Sequence, residues 1–219
     1  MTDIAHRPCI AWDFDGTLGD TLPAIVETAR TVLLGFGMRP DELGDLSRLV
    51  GPPFPQAFSQ VYGLSEADAA EVTRRYREIY NTLGAEAWPP FPGVPELLAD
   101  LRKDGRTLVV ASSKRTPLLR RCVSDGGMAD DFACIYGKNT DAAVSKADTV
   151  LAAVREAGFT PDDAVMVGDR HFDIEAAHEA GMPGIGVYFG DTAPAGELEA
   201  AGADAVVHSV GELRAFFLA

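Results

Sequence analysis

The sequence predicts an α/β fold, a doubly wound parallel sheet interrupted by one inserted all-helical segment. Three observations carry this. Short, nearly continuous apolar runs rich in Val and Ile recur along the chain. Strands covered by helices on both faces read this way. Helical patterns separate the runs, and strands alternating with helices build a parallel sheet. Finally, the interval from about Leu22 to Trp88 holds helical patterns and no convincing strand.

The runs place strands at Cys9–Trp12, Thr107–Ala111, Ala133–Tyr136, Ala164–Val167, Gly184–Tyr188 and Ala205–Val207. Helices are expected at Val94–Lys103, Thr116–Ser124, Ala147–Ala157, Asp173–Ala180 and Glu212–Phe217. Gly105, Gly126, Gly158 and Gly181 fall near helix ends, where glycine serves as a stop signal. Within the insertion, "LPAIVETARTVLLGFG" has helical spacing, with Asp20 before it as the expected N-cap. A second helix starts after Ser65, another N-cap, with acids in its first turn. Its apolar stripe reads Val72, Tyr76, Ile79, Leu83. Between the two, Pro52, Pro53 and Pro55 of "VGPPFPQAF" resist a regular helix. The expected division is residues 1–20 and 89–219 for the α/β core and 21–88 for a helical cap, a lid over the sheet.

Composition narrows the function. The chain has 219 residues, 47% hydrophobic and 24% charged, enough for a sizeable core. Its formal net charge of −14 argues against nucleic-acid polymers and anionic membranes, which need a basic footprint. Cys9, Cys122 and Cys134 lie far apart in no metal-ligand pattern and read as small apolar residues in a reducing compartment. The four histidines show no zinc spacing. No basic start followed by an apolar run opens the chain, and no apolar stretch approaches ~18 residues. A cytoplasmic protein without a membrane span is expected. The residues carry no signal of oligomeric state.

The chemistry sits where the strands end. In a parallel sheet, ligands bind beyond the carboxyl ends of the strands. The first strand runs into Asp13-Phe14-Asp15-Gly16-Thr17, the second into Ser112-Ser113-Lys114 and the fourth into Asp169, with Asp173 four residues on. Lys146 stands at the start of a helix, against the positive end of the dipole, and a bound anion would relieve that conflict. Asp13, Asp15 and Asp169 crowd like charges that a hard divalent cation would neutralise. Mg²⁺ is the natural choice, because it takes few carboxylates and keeps waters and a phosphate oxygen. Asp173 is expected to hold a metal-bound water or to orient Lys146. Ser112 and Lys146 suit transferring phosphoryl oxygens. Gly16, Thr17, Ser113, Lys114 and Arg170 rim the same end of the sheet, and Arg48 and Gly51 border the proline-rich lid loop. All seven are candidate substrate contacts. One carboxylate can attack phosphorus, and a second can protonate the leaving oxygen and then activate water.

"DFDGTL", the Ser112 strand end, Lys146 and "GDRHFD" resemble the four motifs of the haloacid dehalogenase superfamily, in their usual order and over nearly the whole chain. The helical interval is similar to that superfamily's cap, inserted after the first strand of a Rossmann-like core. "VGPPFPQAF", "RRYREIY", "TDAAVSKAD" and "MVGDRHFDIEAA" look most like its phosphoglycolate phosphatase and 5′-nucleotidase-like branch. The resemblance implies a Mg²⁺-dependent phosphatase acting on a small phosphorylated metabolite, with Asp13 as nucleophile and Asp15 as general acid and base. A dehalogenase would not need Asp15. A phosphonatase needs a lid lysine, and none occurs before Lys103. A sugar-phosphate mutase shares all four motifs, and a non-catalytic binding protein can share the fold. The short, apolar lining around Gly51–Phe58 suggests a small leaving group; phosphoglycolate, a nucleoside monophosphate and pyrophosphate are all compatible.

Overall fold

The computed structural model describes residues 4–139 and 145–219. A six-stranded parallel sheet forms its centre, in the order β3-β2-β1-β4-β5-β6. The strands are β1 (Cys9–Trp12), β2 (Thr107–Arg115), β3 (Cys134–Lys138), β4 (Ala164–Gly168), β5 (Gly184–Val187) and β6 (Ala205–Val207). All residues of β1, β4 and β5 are buried, which explains their unbroken apolar sequence. Around the sheet pack α4 (Val94–Lys103), α5 (Thr116–Asp125), α6 (Lys146–Glu156), α7 (His171–Glu179), the short α8 (Glu197–Ala200) and α9 (Val210–Leu218). Two buried apolar clusters, on opposite faces, complete the sandwich. The smaller is built from Ala, Val and Met side chains beneath α6 and α7.

The expected doubly wound sheet is therefore present, with strand positions shifted by a few residues. The largest shift is in β2, which runs on to Arg115 rather than stopping at Ala111. Its polar end pairs with β3 across an irregularity between Ala111 and Arg115, so hydropathy alone truncated it.

The stretch between β1 and α4 is helical throughout its longer elements: α1 (Leu22–Phe36), α2 (Gln56–Tyr62) and α3 (Glu66–Tyr80). Its two ends run side by side. Gly19 bridges Pro90, the Asp20 amide donates to the Pro89 carbonyl at 2.8 Å, and the Phe91 amide donates to Leu18 at 3.0 Å. These contacts form a neck that ties residues 18–20 to residues 89–91.

Three local expectations change. Thr21, not Asp20, occupies the N-cap of α1, and it makes no side-chain cap bond; Asp20 is instead drawn into the neck. The prolines delay a helix but do not abolish it, since α2 starts immediately after Pro55. The buried side of α3 is Ala69, Val72, Thr73, Tyr76 and Tyr80, while Ile79 is 36% exposed and Leu83 lies beyond the helix. Tyr76 and Tyr80 stack with ring centres 5.1 Å apart, and Phe54 meets Tyr76 edge-on at 4.8 Å. Those aromatic contacts select the face. Ser65 does cap α3, accepting from the Asp68 amide at 3.1 Å. Cys9 and Cys122 are buried free thiols, and Cys134 is half-buried. Among the described residues, no helix is long and apolar enough to cross a membrane.

Candidate active site

Strand register assembles the site. Trp12 pairs with Val110 on one side and Val167 on the other. Asp13 stands one residue beyond this level and Ser112 and Asp169 two residues beyond it, so all three emerge at one edge. β1 lies between β2 and β4, where the chain order reverses across the sheet, the usual place for a ligand crevice.

Three carboxylates meet there. Asp13, Asp169 and Asp173 each offer an oxygen within 4.8 Å of the others, and they are 3%, 1% and 0% exposed. Two backbone positions make room for them. A Cβ at Gly16 would sit 2.1 Å from Asp169 Oδ2, and one at Gly168 would sit 2.1 Å from Asp173 Cγ. Gly16 also has φ +77°, a conformation side chains disfavour. Thr17 Oγ1 donates to Asp169 Oδ1 at 3.1 Å, so Gly16 and Thr17 shape the carboxylate cluster rather than the outer pocket.

Lys146, the first residue of α6, enters this cluster. Its Nζ lies 2.8 Å from Asp13 Oδ2 and 2.5 Å from Asp173 Oδ1. Burial pulls the ammonium pKa down, but Asp13 and Asp173 more than offset this, and it stays well above its ordinary value. The unfavourable helix-start lysine is thus compensated by carboxylates of the chain itself. The carboxylates still outnumber it. Burial pushes the Asp169 carboxyl well above its ordinary value, and Asp173 and Asp13 push it further. Burial likewise raises Asp173 to about 6, against the pull of Lys146.

These residues fit a hard divalent cation. Asp13 Oδ1 and Asp169 Oδ2 are buried without a hydrogen-bond partner among the described residues. Unpaired buried carboxylate oxygens are costly, and an oxygen-seeking cation would satisfy both. Asp15 does not join them. Its Oδ1 pairs with Lys114 Nζ at 2.9 Å, so of the four expected metal residues Asp13, Asp169 and Asp173 share the cluster while the Asp15 carboxylate faces Lys114. Lys114 lies 4.9 Å from the centre of the Tyr80 ring, a cation–π contact that joins it to α3.

A cavity of about 390 Å³ opens over this edge. Asp13, Asp15, Ser112, Ser113, Lys114 and Gly51 line it, as expected. Arg48 and Arg170 do not. Arg48 is exposed on a short helical turn, and the turn directs Leu49 into the cavity wall in its place. The Arg170 guanidinium is buried against Glu197 and the Val50 carbonyl. Arg115 and Lys138 also line it and carried no sequence signal of function. Phe54 lies in the proline-rich loop, and Tyr76, Arg77 and Tyr80 lie in "RRYREIY", though nothing in the sequence singled them out as site residues. Thr192, buried beside Gly16 and the Asp169 carboxyl, sits in a loop with no motif to mark it.

A family model described as haloacid dehalogenase-like hydrolase matches residues 10–187. The chain belongs to that family. It is 34% identical to a 5′-nucleotidase from Pseudomonas aeruginosa over 87% of both chains. It is 33% identical to a phosphoglycolate phosphatase from Caulobacter vibrioides, covering 91% of this chain and 86% of the other. Among solved structures, a predicted phosphatase from Clostridium acetobutylicum superposes with a TM-score of 0.91 at 31% identity, covering 97% of this chain and 99% of that one. The chain described here is accordingly a haloacid dehalogenase-like hydrolase.

Proposed function

We propose that this chain hydrolyses small phosphate monoesters with Mg²⁺, through a phosphoryl group carried on Asp13. The observation that supports it best is the environment of Asp13. One oxygen is held by Lys146 at 2.8 Å, and the other is buried and unpartnered. That carboxylate is fixed in orientation at the floor of a cavity, which is what a nucleophile needs.

Asp13 and Asp169, with Asp173 beside them, would hold the cation, which supplies neutralising charge to the phosphoryl oxygens when bound. In the first step an Asp13 oxygen forms a bond to phosphorus, and the bond from phosphorus to the ester oxygen breaks. Asp15 gives its proton to that leaving oxygen. Ser112 and Lys146 bind the equatorial oxygens through the transfer. In the second step Asp15 takes a proton from water, whose oxygen bonds to phosphorus. The bond between phosphorus and Asp13 breaks, releasing phosphate and restoring the carboxylate. In the structure Asp15 pairs with Lys114, so it serves as the acid in the protonated form that the second step regenerates, and the leaving group must reach it beside that lysine. The helical segment 21–88 acts as the cap that excludes water from this space.

The substrate is a phosphoglycolate-like or nucleoside-monophosphate-like ester. The cavity, walled by Phe54, Tyr76 and Tyr80, is in the volume range that accommodates whole small molecules. It supports a larger leaving group than the lid sequence suggests.

The test is phosphate release from a panel containing phosphoglycolate, nucleoside monophosphates and pyrophosphate. Activity should vanish in chelator and return with Mg²⁺. Asp13→Asn should lose turnover while keeping its Tm within a few degrees. Full activity in chelator, or turnover by Asp13→Asn, refutes the mechanism.

A further inference from the structure

Arg170 follows Asp169 directly, yet its guanidinium turns away from the cavity. It is 6% exposed. Its Nε donates to Glu197 Oε1 at 2.8 Å and its Nη2 to Glu197 Oε2 at 3.4 Å. Its Nη1 donates to the Val50 carbonyl oxygen. Glu197 is drawn further into the same knot. It accepts from the His171 amide at 3.0 Å and lies 2.8 Å from His171 Nδ1. Three separate parts of the chain thus converge: the loop after α1, the start of α7 and the start of α8.

Val50 begins the loop that walls the cavity through Val50, Gly51, Pro52, Pro53 and Phe54. The loop presses closely on the start of α7. A Cβ at Gly51 would sit 3.0 Å from Phe172 Cδ2 and 3.2 Å from Arg170 Cγ, and Gly51 has φ +105°. At the other end of the same short segment of α7, Asp173 Oδ2 accepts from the Arg170 amide at 3.0 Å. One residue therefore links the cap wall to the carboxylate cluster, by its side chain and its backbone. A carboxylate–guanidinium pair with two contacts is stiff and directional. Buried, it holds the Arg170 fork in the one orientation that reaches Val50.

We propose that Glu197 and Arg170 form a clasp that sets the leaving-group wall of the site, as specificity-determining positioning residues that never touch the substrate. Glu197 fixes the guanidinium, Arg170 fixes the Val50 carbonyl, and the Val50–Phe54 loop is thereby registered against Asp169 and Asp173. Without Glu197, a buried guanidinium loses its counter-charge, turns toward water and releases the loop. This rests on the proposed phosphatase reading only for its kinetic consequence.

Three variants test it: Glu197→Gln, Arg170→Met and the two combined. The first readout is hydrogen–deuterium exchange, which needs no substrate. Peptides covering residues 50–58 should exchange about tenfold faster in each single variant, with β4 and α3 unchanged. The double variant should match the singles, because both break one unit. The second readout is kinetic. KM for the best ester of the panel should rise about tenfold in Glu197→Gln, while kcat for acetyl phosphate, whose leaving group is minimal, stays within about twofold. Unchanged exchange at 50–58 overturns the clasp, as does acceleration spread over the whole chain or an additive double variant. An equal loss on every ester overturns the specificity role. If no phosphate ester is hydrolysed by the parent protein, the phosphatase mechanism fails, and the exchange result still decides the clasp.

Discussion

Replacing Asp173 by Asn should stabilise the metal-free protein, and increasingly so as the pH rises. Asp173 is fully buried. Burial raises its pKa from 3.8 to about 6; Lys146 opposes the rise and Asp13 adds to it. A carboxyl whose folded pKa is raised prefers its neutral form in the fold. Its contribution is therefore intact below about pH 4, falls away as the pH climbs toward 6, and is fully lost above that. At about 1.4 kcal/mol for each pH step, the difference amounts to roughly 3 kcal/mol. An amide mimics the neutral acid, so Asp173→Asn escapes this loss. In a chain of this size each kcal/mol moves the Tm by about 2–4 °C. The variant's Tm should thus equal the parent's near about pH 3.5 and exceed it by about 6–12 °C at about pH 7. The assay is differential scanning calorimetry in chelator across that range, read as variant minus parent so that other acids cancel. Asp169, pushed up by the same crowding, works in the same direction. Adding Mg²⁺ should shrink the gap, since a cation supplies what the amide otherwise provides. A difference that stays flat, or narrows with pH in chelator, would show that Asp173 carries its charge without strain and would refute the crowding argument.

Two further outcomes follow from neighbouring residues. Asp15→Asn should spare phosphorylation of Asp13 by aryl phosphates, whose leaving groups need little protonation, and should slow alkyl esters by about 10²–10⁴-fold; a burst of phenol release and a one-phosphoryl mass increase on the trapped protein check this, and wild-type rates on alkyl esters contradict it. Gly16→Ala would place a methyl 2.1 Å from Asp169 Oδ2 at φ +77°, so it should lower the Tm in chelator by the equivalent of about 1–2 kcal/mol and abolish the Tm increase caused by Mg²⁺; a retained increase would show that Asp169 is not a ligand.

Much of this arrangement can be read from the chain because parallel strands bury both faces. Their sequences become plain apolar runs, and the first polar residue after each run marks the functional edge. Asp13, Ser112 and Asp169 each follow such a run, and they meet because neighbouring strands start in register. Lys146 was recognisable as a charge at the wrong end of a helix. The insertion was legible through its missing strands. Spacing could not say which side of α3 faces inward, since Tyr76, Tyr80 and Ile79 all fit a helical stripe and aromatic stacking decides among them. Nor could it assign the charges. Asp15 and Asp169 both stand just beyond strand ends, yet Lys114 claims the first, while the second is left facing Asp13 and Asp173. Arg170 reads as a rim cation until Glu197, 27 residues later, turns it toward the lid loop. Local sequence determines hydropathy, helix ends and the order of the polar turns, because those depend on neighbouring residues. The partner of a buried charge is chosen by whichever opposite charge the packing brings within about 3 Å, where low dielectric makes pairing decisive, and only the tertiary structure makes that choice.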